Sequence, residues 1–244
     1  LVFIDSDDWI QDDFFSVIQP YLGVFDVILF GLDQVTPDGH SIRKFVPPFE
    51  MSENDMTKLA DILYALFRID LLGYVIATVV RRDIVVAHSL KFDERFSLHE
   101  DSLFFLDCCK YASSFVSLAQ TPYKYVYYEK EGRQTLSNTI PANYKEILQL
   151  RQRKMTELLS SIEMCERERH FIEGRLMYNY CRVSLDIALS QNRGRIRAVK
   201  DCIEEFADKE ILVCSAKESI LHFFVKKRMP HMIFIAKKLL SIVK

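Results

Sequence analysis

Two acidic clusters carry the residue types best suited to chemistry. The first closes an apolar run: Leu1-Val2-Phe3-Ile4 leads into Asp5-Ser6-Asp7-Asp8-Trp9-Ile10. Three carboxylates within four residues at the end of a strand repel one another, and a divalent cation that prefers hard oxygen ligands, Mg2+ or Mn2+, relieves the repulsion. Open α/β sheets also take their ligands beyond the carboxyl ends of their strands. The same residues equally suit a solvated acidic turn in which Asp8 or Asp12 caps a helix. The second cluster is His99-Glu100-Asp101, which opens the apolar stretch Ser102-Leu103-Phe104-Phe105. An acidic pair there compensates a helix dipole, an effect of about 1 kcal/mol at most at a surface. It also holds a carboxylate at the mouth of a pocket, where it can serve as a general base.

The elements around these clusters divide at Pro141. Before it, short apolar runs alternate with helical patterns, which implies an α/β layer. Leu1–Asp5 reads as a buried strand and Asp12–Tyr21 as a helix. Phe25–Leu32 reads as a strand, followed by a turn at Pro37-Asp38-Gly39. Ser52–Phe67 has helical spacing, with Ser52 and Asp55 approximating a capping box. Tyr74–Val80 is a strand candidate, Glu100–Tyr111 a helix, and Phe115–Leu118 and Tyr123–Tyr128 two further strands. After Pro141 the periodicity is helical throughout, over Asn143–Glu168, Phe171–Ser190, Gly194–Ala207, Ser215–Val225 and Met229–Val243. The expected division is therefore an α/β portion over 1–140 and a helical extension over 141–244.

Composition bounds the possibilities. The chain has 244 residues, 49% hydrophobic and 27% charged, which excludes wholesale disorder, collagen-like repeats and a disulfide miniprotein. Only seven Gly and seven Pro favour substantial helix over a Gly-rich all-β protein. No apolar stretch reaches the roughly 18 residues of a membrane span, and no signal peptide precedes the first strand. The start at Leu1, inside an apolar run, reads as an internal cut. Six cysteines without metal-ligand spacing read as reduced core residues and point to a cytoplasmic compartment.

The net charge of −2 averages unlike parts: residues 1–61 hold twelve acids against three Lys/Arg, and residues 145–244 hold thirteen against twenty. An acidic front suits cation binding and a basic rear suits an anionic surface. Over 226–244 the cations Lys226, Lys227, Arg228, Lys237, Lys238 and Lys244 interleave with apolar residues. Such a helix can lie on the inner face of an anionic membrane, or pack on its own domain with solvated lysines. An acidic front half and no recognised motif argue against nucleic-acid binding.

Taken together and in this order, the motifs resemble family 2 glycosyltransferases of the GT-A fold, especially bacterial enzymes that build surface polysaccharide. The resemblance runs from Leu1 to about Asn138. Asp5-Ser6-Asp7-Asp8-Trp9-Ile10 is similar to the family's D-x-D segment. Val79-Val80-Arg81-Arg82-Asp83-Ile84 and Lys91-Phe92-Asp93-Glu94 resemble the strand and loop that lead to the acceptor site. His99-Glu100-Asp101 resembles the E-D motif, and Tyr123-Lys124-Tyr125-Val126-Tyr127-Tyr128 with Ser137-Asn138 resembles the closing aromatic strand and its loop. The resemblance implies part of a GT-A-like mixed sheet with flanking helices, followed by an all-helical extension. It implies an inverting transfer from a nucleotide-sugar donor to a glycan or lipid-linked acceptor, assisted by Mn2+ or Mg2+. Asp7 would hold the metal, Asp5 would contact donor ribose or the metal through water, and Asp101 would be the base. Glu100 would orient Asp101 or bind acceptor, and His99 would bind acceptor or fill the helix entrance; Arg81 would contact acceptor or phosphate, or form a solvated pair with Arg82, and Trp9 would stack on an acceptor sugar or pack in the core. The family's nucleotide-base strands precede the D-x-D segment, so the expected content is the acceptor half of such an enzyme without the N-terminal nucleotide-binding portion. Two other classes share features with the sequence. A haloacid-dehalogenase-like phosphatase also carries D-x-D after a strand, although Trp9 stands where that family has a small residue. A non-catalytic assembly module would use the same fold as scaffold.

Overall fold

The computed structural model describes residues 1–53, 56–128, 141, 143–191 and 194–242. The chain divides into two compact units: Leu1–Asn143 with Arg153–Cys165, and Tyr144–Gln152 with Glu166–Lys244.

The first unit is built on a mixed sheet, six-stranded among the described residues. Its strands are β1 (Trp9–Ile10), β2 (Val27–Val35), β3 (Ser41–Phe45), β4 (Glu50–Glu53), β5 (Thr78–Val80) and β6 (Ser114–Val126). The helices are α1 (Phe14–Ile18), α2 (Met56–Arg68), α3 (Arg82–Ala87) and α4 (Glu100–Tyr111). Parallel β2 and β6 form its centre. Val27, Phe30, Leu32, Phe115, Val116 and Leu118 are all buried there, which explains the continuous apolar run. β3 and β5 pair antiparallel with opposite halves of β2, and β4 and β1 with opposite halves of β6. This is the α/β, GT-A-like mixed sheet with flanking helices that the motifs imply, and helices follow it.

Several local expectations change. β6 is one strand rather than two, because the sheet absorbs the intervening residues: the register shifts between Phe30 and Leu32, opposite Leu118 and Tyr123. Pro122, which has no N–H to donate, falls in that irregularity. Gly31 stands at the same place, where a Cβ would come within 2.4 Å of the Phe45 carbonyl oxygen. Leu1–Asp5 is not a buried strand. It meets the sheet at one isolated bridge, Val2 to Val79, and Leu1 and Ile4 are 44% and 50% exposed. Ser52 lies in β4 and α2 is described from Met56, so the helix does not run from Ser52; Asp55 is outside the described residues. Neither Asp8 nor Asp12 caps α1, whose cap position is Asp13, without a side-chain cap bond.

The second unit is helical: the start of α5 (Tyr144–Ser160), then α6 (Glu166–Ser190), α7 (Arg195–Phe206), α8 (Ala216–Lys226) and α9 (Pro230–Ile242). Its core gathers Tyr180, Leu185, Val199, Ile203, Phe206, Leu221, Val225 and Ile233. Ser215 caps α8 by accepting the Glu218 N–H, and Arg175 binds the Glu218 carboxylate at 2.6 Å. No described helix is long and apolar enough to cross a membrane. Cys108, Cys109, Cys181 and Cys202 are buried free thiols; Cys165 and Cys214 are exposed, so the core reading fails for those two.

Candidate active site

The acidic turn rests on the aromatic end of β6. The Tyr123 hydroxyl donates to Asp8 Oδ2 at 2.9 Å and accepts the Asp5 N–H at 3.0 Å. The Val126 N–H donates to Asp8 Oδ1 at 2.8 Å, and the Asp8 N–H closes the turn on the Asp5 carbonyl at 3.2 Å. Asp8 is therefore the anchored member of the triplet, whereas Asp5 and Asp7 present exposed carboxylates. Burial, and secondarily Asp7, pushes the Asp5 carboxyl up. Burial also raises Asp8, against the opposing pull of its two hydrogen bonds and with help from Asp5 and Asp7. Tyr125 is pushed up to about 12, first by burial and then by Tyr74 and the three acids. One face of β6 thus feels the whole cluster. The alternation Tyr123-Lys124-Tyr125 was a readable signal for that face; the role of Asp8 had no signal of its own.

The second acidic cluster is fixed at the first turn of α4. His99 takes a left-handed conformation (φ 61°) ahead of the helix, and its carbonyl accepts the Leu103 N–H. Asp101 Oδ1 accepts the Ser102 N–H at 2.6 Å. Glu100 Oε2 is buried without a hydrogen-bond partner among the described residues. Gly73 makes the close fit possible: its φ is 95°, and a Cβ there would lie 2.5 Å from Ser102 Oγ.

Two packing contacts bring α4 and the acidic turn to one region. Phe3, two residues ahead of Asp5, meets Phe104 edge-on at 5.6 Å, and Phe92 stacks on Phe104 at 4.4 Å. Tyr74, next to Gly73, meets Tyr125 edge-on at 6.3 Å. Along the same helix runs a cavity of about 330 Å3 lined by Lys91, Phe92, Asp93, Leu103, Asp107 and Lys154, among others. Helical spacing places Glu100 on the side of α4 that carries Leu103 and Asp107.

Arg81 and Trp9 are not brought to this region. Arg81 follows β5 at the Val27 end of β2, where it binds Asp26 at 2.6 Å. Asp26 is 3% exposed and also accepts from Ser113 N and Oγ. Asp8 bonds at Val126, opposite Val35, so about eight residues of strand, roughly 26 Å, separate the two. Trp9 pairs with Lys124, whose side chain points to the face of β6 opposite Tyr123 and Tyr125, and so shares that opposite face. At 39% exposed it does not fill a core either. Lys124 there binds buried Asp33 at 2.6 Å. Ser137 and Asn138 lie outside the described residues.

No protein-family model matches the sequence, and no curated protein matches it. Among solved structures the chain is similar to Staphylococcus aureus TarS. Against TarS 1–349 in complex with UDP-GlcNAc the TM-score is 0.59 at 16% identity, over 100% of this chain and 68% of that one. Against TarS 1–349 in complex with UDP it is 0.57 at 16% identity, over 100% and 67%. Against a longer TarS structure it is 0.56 at 16% identity, over 97% and 39%. The chain thus spans about two thirds of the shorter TarS structures and 39% of the longer one. At this identity the likeness is one of fold.

Proposed function

We propose that the chain carries the acceptor side of a glycosyltransferase that moves a sugar from a nucleotide-sugar donor to a glycan or lipid-linked hydroxyl, with inversion. The observation that carries this reading is that the segment leading into the acidic turn and the helix that opens with Glu100 and Asp101 meet through Phe3 on Phe104. A fold shared with a protein crystallised with UDP-GlcNAc and with UDP supports a nucleotide sugar as donor.

A Mg2+ or Mn2+ bound through substrate phosphates needs only one or two protein carboxylates. Asp5 and Asp7 fit that requirement: both are exposed on one turn, and Asp7 raises the cost of ionising Asp5. Among the described residues no three His, Cys, Asp or Glu side chains gather as a closed metal site. In this reading Asp7 would hold the metal, and Asp5 would contact donor ribose or reach the metal through water. When bound, the metal neutralises charge on the departing diphosphate. Asp8 keeps the turn in place through Tyr123 and Val126. Asp101 takes the proton of the acceptor hydroxyl as that oxygen attacks the anomeric carbon. Glu100, whose Oε2 is buried and finds no partner among the described residues, accepts a hydrogen bond from the acceptor, whose body occupies the cavity along α4. His99 sets the start of the helix beside them.

The test is Mn2+-dependent turnover of UDP-sugars by the full-length gene product. Asp7→Ala and Asp101→Ala should each lose at least about a hundredfold in kcat, in the range for removal of a catalytic acid or base. Unchanged rates in both variants would overturn these assignments. Mn2+-dependent release of phosphate from a phosphomonoester, with no turnover of any nucleotide sugar, would favour a phosphatase.

A further inference from the structure

The structure sorts the cations of the C-terminal segment. Arg228 binds Asp208 at 2.7 Å and Glu204 at 3.3 Å, and Lys237 binds Asp186. Both pair within the helical unit. Lys226, Lys227 and Lys238 are exposed, as is Arg228.

Beside them are apolar side chains that the unit does not bury. Phe223 is 53% exposed, Ile235 50% and Ile220 44%. Ile220, Phe223 and Lys227 recur at helical spacing along one line of α8, as Ile235 and Lys238 do on α9. The opposite lines, Leu221 with Val225 and Ile233 with Ala236, are buried. α8 and α9 pack on each other and both pack on α7. Their exposed lines therefore both face away from α7. From Ser219 to Lys244 the sequence contains no Asp or Glu.

We propose that the outer surface of the α8–α9 pair docks on an anionic lipid bilayer, with Phe223, Ile220 and Ile235 entering the headgroup region and the lysines contacting lipid phosphates. Bulky apolar side chains flanked by cations without acids are the pattern of a helix lying in a membrane interface. Spanning is excluded for α9 as described: 13 residues rise about 20 Å, short of the roughly 30 Å hydrocarbon core. A second copy of the chain is a poorer occupant, because a two-fold interface here would bring together two copies of one patch whose α8–α9 charges are all positive from Ser219 onward. The surface differs from the segment singled out by composition. It includes Ile220 and Phe223, which precede the basic stretch, and excludes Arg228 and Lys237.

The experiment is co-sedimentation of the full chain with vesicles of phosphatidylcholine alone and of phosphatidylcholine with phosphatidylglycerol at 3:1. Partition should be at least tenfold greater into the anionic vesicles and should weaken with salt. Ile220→Ser with Phe223→Ser should reduce it at least tenfold. Lys226→Glu with Lys227→Glu should reduce it more, since each basic residue near such a surface contributes roughly fivefold. Circular dichroism and thermal midpoints check folding; if the apolar pair melts early, the lysine variant, altered only at exposed positions, decides. Equal partition into both vesicle types, or parent-like binding by the lysine variant, overturns the proposal. So does a dimer, or a complex with an acidic protein, that is lost in the lysine variant while neither vesicle type is bound.

Discussion

Asp7 and Asp8 are adjacent yet physically unlike. Asp8 is held by a tyrosine hydroxyl and a backbone N–H, whereas Asp7 stands in solvent. Asp5 lies between these cases, and its raised pKa has a consequence for stability. Below its ordinary value of 3.8 both folded and unfolded chains are protonated there, and the folded state bears no penalty. As pH rises from 3.8 through the higher folded value, the unfolded chain releases its proton first, so stability is lost across that window. Asp5→Asn should therefore gain thermal midpoint over the parent at pH 7 and show little gain at pH 3.5, by calorimetry at both values. Arg81 makes a contrasting case, since its carboxylate partner is buried. Arg81→Ala should cost about 1–2 kcal/mol by urea unfolding, the exposed half of the guanidinium moderating the loss. It should leave the acceptor KM within about twofold, whereas a residue that binds acceptor would move KM.

At the scale of elements, the position of α4 is the main constraint on the site. The helix carries Glu100 and Asp101 and touches the segment leading into the acidic turn through Phe104 on Phe3. Its first turn is seated against Gly73, where a side chain has no room and the backbone is left-handed. Gly73→Ala should destabilise the protein by about 2–4 kcal/mol, combining backbone strain with the clash at Ser102. Turnover should fall further than stability explains, because the carboxylates of α4 would shift relative to Asp5 and Asp7. Urea titration and kcat measured well below the midpoint separate these two effects.

At the scale of the whole molecule, each unit buries its own core: the sheet of the first around Phe30 and Phe115, the helices of the second around Phe206 and Val225. Separate cores imply separable unfolding. Phe206→Ala should cost about 3–5 kcal/mol, as large core truncations do. Calorimetry should show one component shifted down and the other in place; a single transition that shifts as a whole would show that the units unfold together. The uneven charge belongs to this scale as well. Of the acids of the front, Asp5, Asp7 and Asp8 share one turn while Asp26 and Asp33 are buried against Arg81 and Lys124, and in the rear cations such as Arg175 are tied into internal pairs.

Much was already determined by the sequence alone. Glu100–Tyr111 is a helix, and the run Phe25–Leu32 supplies most of the buried strand Val27–Val35, because acidic first-turn residues and β-branched and apolar runs are local properties of the chain. The acidic pairs were legible for the same reason, as charge density that needs no knowledge of neighbours. Only the tertiary structure decided which carboxylate is anchored, which face Trp9 takes, and that Arg81 belongs to Asp26. Those outcomes depend on strand register and on partners 55 to 118 residues away. A one-residue change in the pairing of β1 with β6 would have turned Trp9 to the other face, and nothing within the short run around Trp9 fixes that register.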